Sequence, residues 1–168
     1  NNSLIYVYGG SSYLSTITID STNTINTYPV KYYCDEDNIV LVGGQWGEII
    51  LAYCNNITIQ SVRTCRITVY YSHFISINDS EISFIEYATG AYGVSASHST
   101  NVTVAKDTFH NEYYGVSCFM CDNITVIDNI FYSNVIDIEL SWDSYAIIAN
   151  NSISDSVERG ISIWTTDY

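Results

Sequence analysis

Residues 92–113 read YGVSASHSTNVTVAKDTFHNEY, and residues 114–135 read YGVSCFMCDNITVIDNIFYSNV. Set one above the other, they place Val94 over Val116, Val102 over Ile124 and Phe109 over Phe131. The same three columns extend outward in both directions. The first runs Ile49, Ile67, Val94, Val116, Ile138, Ile161; the second Ile57, Ile75, Val102, Ile124, Ala146; the third Thr64, Ile82, Phe109, Phe131, Ile153. Eight residues separate the first column from the second, and seven the second from the third, in five successive rows. Successive rows step by 18, 27, 22, 22 and 23 residues. Self-similarity with a period near 20 residues is the mark of a solenoid.

Within each row the pattern alternates in and out. Two residues after the first anchor stand Leu51, Val69, Ala96, Cys118, Leu140 and Ile163, all apolar or thiol; the residues between are Ile50, Thr68, Ser95, Ser117, Glu139 and Ser162. The second segment behaves alike, with Thr58, Ser76, Thr103 and Thr125 between its apolar positions. Period-two patterning over a few β-branched residues reads as short strands. Asn-Gly and Asp-Gly hairpin signals are absent, which argues against a meander. The chain is therefore expected to be all-β, a right-handed parallel β-helix whose rungs stack about 4.8 Å apart. Ile39, Leu41 and Trp46 fit the register one row earlier. Residues 1–35 do not lock to it and are expected to form one or two irregular opening coils. That makes seven to eight coils in a single domain over residues 1–168.

The Gly-Val-Ser opening, the Asn before the next strand, and the Asp or Asn five residues after it (Asp107, Asn129, Asn151) resemble the parallel β-helix repeat of pectin-lyase-like proteins, and especially NosD-type repeats of bacterial and archaeal surface and periplasmic proteins. The resemblance covers residues 36–168. It implies the fold and an extracellular or cell-surface setting; it does not specify an activity, because that superfamily spans lyases, hydrolases, epimerases, adhesins and scaffolds. The family's Asp/Arg calcium constellation, Asp-Asp with Gly-His-Gly, and Asp-Pro-His catalytic patterns are not present. A copper role by analogy with NosD would need Met and His ligands, and the chain has one Met and three His.

Composition narrows the partners. Five basic residues against eighteen acidic ones give a net charge of −13, which disfavours nucleic acid, anionic lipid and polyanionic sugars. No apolar run reaches the roughly 20 residues of a membrane span. The absence of a leader and of an initiating Met reads as a mature product or an excised segment. Sixteen tyrosines with frequent Ser, Thr and Asn suit a secreted β-rich protein. Of the five cysteines, Cys118 falls on an inward column, Cys34 or Cys65 could bridge to Cys54, and Cys118-Phe-Met-Cys121 lacks the helix that a redox CxxC needs. No cofactor and no metal site is expected: the three histidines share no column, and Asp35-Glu36-Asp37 lacks calcium-loop spacing.

Six sequons occur, at Asn1, Asn56, Asn78, Asn101, Asn123 and Asn150. Asn56, Asn101 and Asn123 sit one residue before an anchor, where a bend favours Asn for its tolerance of a left-handed backbone. Asp137 and Glu139 flank Ile138; both are expected to project outward about 7 Å apart, a separation an inverting glycosidase uses, or else to be a solvated face. Glu48 and Arg66 read as a rung-to-rung ion pair worth little. Tyr70, Phe119 and Trp164 share an outward column, and Tyr92 aligns with Tyr114; such rings can stack on sugar faces or pack against a neighbouring chain.

The leading expectation is an extracellular structural β-helix, glycosylated because its sequons exceed chance, that self-associates through its ends or aromatic faces into a filament, layer or sheath. The alternatives are a carbohydrate-binding module, or a carbohydrate-active enzyme acting on a neutral polysaccharide through Asp137 and Glu139.

Overall fold

The computed structural model describes residues 4–5, 7, 9–84 and 91–165. The chain winds through three sheets in turn. The first sheet has eight strands: Thr24–Ile25, Tyr28–Cys34, Glu48–Ala52, Ile67–Tyr70, Tyr92–Ser97, Tyr114–Phe119, Ile136–Ser141 and Arg159–Trp164. The second has six: Val40–Val42, Asn55–Gln60, His73–Asn78, Thr100–Ala105, Asp122–Ile127 and Ser144–Ala149. The third also has six, from Gln45–Trp46 to Ser152–Ser154. Every pairing is parallel except Thr24–Ile25 with Tyr28–Pro29. No helix among the described residues is long and apolar enough to cross a membrane.

The register follows the sequence columns. Ile49 pairs with Ile67, then Val94, Val116, Ile138 and Ile161. Ile57 leads through Ile75, Val102 and Ile124 to Ala146, and Thr64 through Ile82, Phe109 and Phe131 to Ile153. These side chains fill one continuous core. Phe109 and Phe131 stack inside it, centroids 4.9 Å apart and planes within 9°. The repeat amounts to six complete coils and a seventh strand on the first sheet, slightly fewer than the seven to eight expected.

Each coil turns its corners through left-handed residues, and these too form columns. Asn38, Asn56, Phe74, Asn101, Asn123 and Tyr145 all have φ between 52° and 59°. At the preceding corner the same conformation recurs at Tyr53, Tyr71, His98, Met120 and Trp142. Asn takes this conformation at little cost, whereas the bulky residues adopt it because the ladder on either side holds them there. Inside the corners, side chains continue the ladder. The Asp107 N–H donates to Asn129 Oδ1 and the Asn129 N–H to Asn151 Oδ1, both at 2.9 Å. The Ser72 N–H donates to Ser99 Oγ, and that of Cys121 to Asp143 Oδ1.

The N-terminal segment does not add a coil. Asn26 and Thr27, with φ of 51° and 72°, close a tight antiparallel hairpin of the kind that needs two left-handed residues. Before it lie a single helical turn, Ser11–Leu14, and an extended arm. Val7, Leu14 and Ile25 pack with Val30, Ile50 and Ala52 into a second apolar cluster. Because Ile50 and Ala52 alternate with the inward Ile49 and Leu51, that cluster covers the outer face of the first coils.

This cover changes two sequence expectations. Glu48 and Arg66 are not a surface pair: they are 0% and 3% exposed. Arg66 Nε donates to Glu48 Oε1 at 2.6 Å, the Ile5 N–H donates to Glu48 Oε2 at 3.0 Å, and Arg66 Nη2 donates to the Ile5 carbonyl. The pair thus holds the arm by both backbone groups of one residue. Second, the cysteines form no bridge. All five are free thiols, four of them buried and Cys34 half-buried.

Candidate functional site: a serine-floored trough

Past the arm, no described helix or strand covers the outer face of the first sheet. Val94, Ala96, Val116 and Cys118 point inward at 0–1% exposure. The alternate residues Ser95, Ser97, Ser117 and Phe119 therefore point outward, and all but Phe119 are half-buried. Pairing aligns them: Ser95 with Ser117, Ser117 with Glu139, Ser97 with Phe119, Phe119 with Ser141. Small hydroxyl side chains thus floor a strip two to three coils long. Gly93 and Gly115 run beside it because nothing larger fits. A Cβ on either would stand 2.6 Å from the carbonyl oxygen one coil on.

Aromatic rings edge the strip. On one side Tyr92 and Tyr114 stack at 4.8 Å and 15°, with Tyr113 edge-on to Tyr114 at 4.9 Å. On the other, a corner ladder runs from Tyr53 to Tyr71 (5.0 Å, 2°), His98 (4.8 Å, 23°), Phe119 (5.8 Å, 66°) and Trp142 (5.7 Å, 32°). Each parallel pair turns one face of each ring to its neighbour. Phe119 breaks the ladder: it is turned 66° from His98 and is 41% exposed.

At the arm end the strip deepens into a cavity of about 450 Å³. Val7, Gly9, Gly10 and Leu14 form one wall; Tyr70, Tyr71, Ser97, His98 and Phe119 form the other. Ser97 Oγ and His98 Nδ1 lie 2.7 Å apart within it. A volume of this size, largely aromatic with few polar groups, is in the range of small-ligand sites. At the far end, burial raises the Glu139 carboxyl above its ordinary range, opposed by the Arg159 guanidinium and a hydrogen bond from Trp164.

Of the five aromatic residues singled out from the sequence, Tyr92, Tyr114 and Phe119 border the strip and Tyr70 lies at its arm end. Trp164 stands two coils beyond Phe119, with Arg159 6.0 Å from its ring. Asp137 and Glu139 are not brought together on an open face. Asp137 is 0% exposed; Asn134 Nδ2 donates to it at 2.7 Å and the Ser156 hydroxyl donates to its other oxygen. It lies within the strand Ile136–Ser141 at the position of Gly93 and Gly115, and is buried together with the adjacent Ile136 and Ile138, so period-two counting from Glu139 misplaces it.

Among the sequons, Asn56 Nδ2 donates to Asn38 Oδ1 at 2.7 Å, Asn78 Nδ2 to Ser76 Oγ at 3.2 Å, and Asn123 Nδ2 to Asn101 Oδ1. Each uses the nitrogen a glycan would occupy. Asn101 is half-buried and accepts that bond through its oxygen. Asn150 is exposed at φ 54°, and Asn1 lies outside the described residues. The serine floor was readable in the columns as a run of polar positions. The arm carried no repeat signal and could be found only in three dimensions.

The arm wall depends on the buried pair. Removing one partner of a buried ion pair leaves the other uncompensated, at about 3–5 kcal/mol. Arg66→Met is therefore expected to release the arm, seen as faster limited proteolysis between residues 15 and 24, while the coil spectrum by circular dichroism persists. Unchanged cleavage would show that the arm is held without the pair, by its apolar contacts and the Tyr32 and Tyr53 hydroxyls.

A family model described as "Periplasmic copper-binding protein (NosD)" matches residues 12–168. No curated protein and no solved structure matches the chain. The donors present do not fit a resident copper ion. Among the described residues no three His, Cys, Asp or Glu side chains come together. Met120 and His98 share a corner column, but Cys54, Cys118 and Cys121 face the interior, Cys34 and Cys65 lie in the cluster under the arm, and His73 and His110 lie on other sheets.

Proposed function

The chain belongs to the NosD family, and from that premise we propose that it is an extracytoplasmic β-helix that holds a neutral glycan on the outer face of its first sheet. The observation that carries this reading is the strip of Ser95, Ser97, Ser117 and Ser141 between aromatic edges. A sugar ring has an apolar face and a rim of hydroxyls. Phe119 offers a face to the first, and the serines, with the tyrosine edges, offer hydrogen bonds to the second. The net charge of −13 favours a neutral chain over a polyanionic one. A periplasmic family agrees with a location outside the cytoplasm, and placement at the cell surface is part of the proposal.

The test is a screen of neutral polysaccharides followed by calorimetry with the best ligand. Phe119→Ala is expected to weaken binding by about tenfold, the loss of one ring-stacking contact near 1.4 kcal/mol. Its ring is 41% exposed, so the melting temperature should hardly move. If no neutral glycan binds, or the variant binds as well as the parent, the reading fails.

One further observation supports a second reading, association of rods end to end into a filament, layer or sheath. Ile161 and Ile163 continue inward columns yet are 48% and 60% exposed on the last described rung. Electron microscopy at low and high concentration decides it: filaments support a second copy on that rung, and discrete rods at all concentrations rule it out. Glycosylation, where the host supplies it, is expected at Asn150 ahead of the ladder asparagines. Peptide mass mapping that finds Asn56 or Asn123 occupied and Asn150 bare would contradict that order.

A further inference from the structure

We infer that the trough recognises the end of a glycan chain and not its interior, with the N-terminal arm as the stop. This rests on the glycan reading above. The strip runs along the rod axis, because its floor is built from the same position in successive coils: Ser95, Ser117, then Glu139 and Ser162. A chain lying on it can continue past Ser141 toward the last rungs. In the other direction it meets the arm, which crosses the sheet at the level of Tyr70 and forms one wall of the cavity whose opposite wall is Ser97, His98 and Phe119.

The arm is a fixed obstacle. Leu14 is 1% exposed, and its carbonyl accepts a hydrogen bond from the Tyr32 hydroxyl at 2.9 Å. The Gly9 carbonyl accepts one from the Tyr53 hydroxyl at 3.3 Å. Ile5 is held to the buried Glu48 and Arg66. A polymer threading along the strip would have to lift all of these. A terminal sugar needs to lift none, because the wall is recessed where it would sit. Gly10 lines the cavity, and a Cβ built on it meets nothing within 4 Å. The cavity of about 450 Å³ takes one or two rings, with His98 and Ser97 placed to hydrogen-bond the hydroxyls that only a chain end leaves free.

The test uses the full chain and three forms of the neutral glycan found in the screen: linear oligosaccharides, cyclic oligosaccharides of the same linkage, and long polymer. Calorimetry is expected to give linear oligosaccharides a full-strength signal and cyclic ones at least about tenfold weaker binding. On polymer, the number of sites should track chain ends and not mass. Gly10→Trp, which fills the recess from an open position, should weaken linear oligosaccharides by a similar factor with an unchanged melting temperature. If cyclic and linear forms bind alike, or polymer sites scale with mass, end recognition is wrong while the glycan reading stands. If no form binds, the glycan reading itself falls, and this inference with it.

Discussion

Phe131→Ala is expected to lower the free energy of unfolding by about 3–5 kcal/mol, and the melting temperature on the order of 10 °C. Phe131 is fully buried and stacks on Phe109. Its ring also fills the space beneath Gly115, where an added Cβ would come within 2.8 Å of it. The backbone on both sides is locked into parallel ladders through Phe109 and Ile153, so the coil has little freedom to collapse around the gap. A solenoid holds each coil mainly through its neighbours; a void in a central coil therefore weakens two interfaces at once. Chemical denaturation read by circular dichroism checks it. A loss below about 1 kcal/mol would mean that the interior is less tightly packed than the stack implies.

The second large effect is a stability that falls as pH rises, and it centres on Asp107. At the equivalent positions one and two coils on, Asn129 Nδ2 donates to the Val104 carbonyl and Asn151 Nδ2 to the Val126 carbonyl, both at 2.9 Å. Asp107 keeps the accepting half of this arrangement, with Oδ1 taking the Ser80 N–H at 2.7 Å. Its other oxygen is buried with no hydrogen bond. An ionised carboxylate has nothing to donate there. Burial pushes its pKa up to about 7 from 3.8, against the pull of the Ser80 N–H.

The folded state therefore keeps a proton that the unfolded chain releases near pH 4. Between about pH 4 and pH 7 the folded state binds more protons, so stability falls as pH rises; above pH 7 the penalty is fully present. A shift of this size corresponds to roughly 4 kcal/mol. Burial moves Glu48, Glu112, Asp137 and Asp143 in the same direction, so a slope remains when Asp107 is changed. Asp107→Asn restores the donor its neighbours have. It should match the parent near pH 4 and exceed it by a few kcal/mol at pH 8. Denaturation midpoints at pH 4, 5, 6, 7 and 8 give the comparison; parallel curves for the two proteins would contradict it.

The fold was legible because like sits on like. A column repeated five or six times, with 8 and 7 residues between columns, has only one compact solution, and Val94 over Val116 or Phe109 over Phe131 fell into register as the spacing required. The left-handed corner could be read from Asn56, Asn101 and Asn123, but not from Phe74 or Tyr145 in the same column, since those residues carry no local preference for it. Residues 4–25 were illegible for a different reason. Ile17, Ile19 and Ile25 alternate like a strand, yet Ile17 is 43% exposed and Ile25 is buried in a hairpin. One copy of a pattern has no second copy to test it against. The arm then hid the true setting of Glu48 and Arg66, which a column shows as neighbours without showing what lies over them. For the site, aromatic positions were visible and ring orientation was not: Tyr92 and Tyr114 face each other, and Phe119 is turned 66° from His98.

The most direct test of the account is a crystal structure of the protein soaked with the neutral oligosaccharide it binds best. Sugar rings lying over Ser95 and Ser117, between Tyr114 and Phe119, are the predicted result. Density for the sugar on the second or third sheet, with that strip bare, would contradict it.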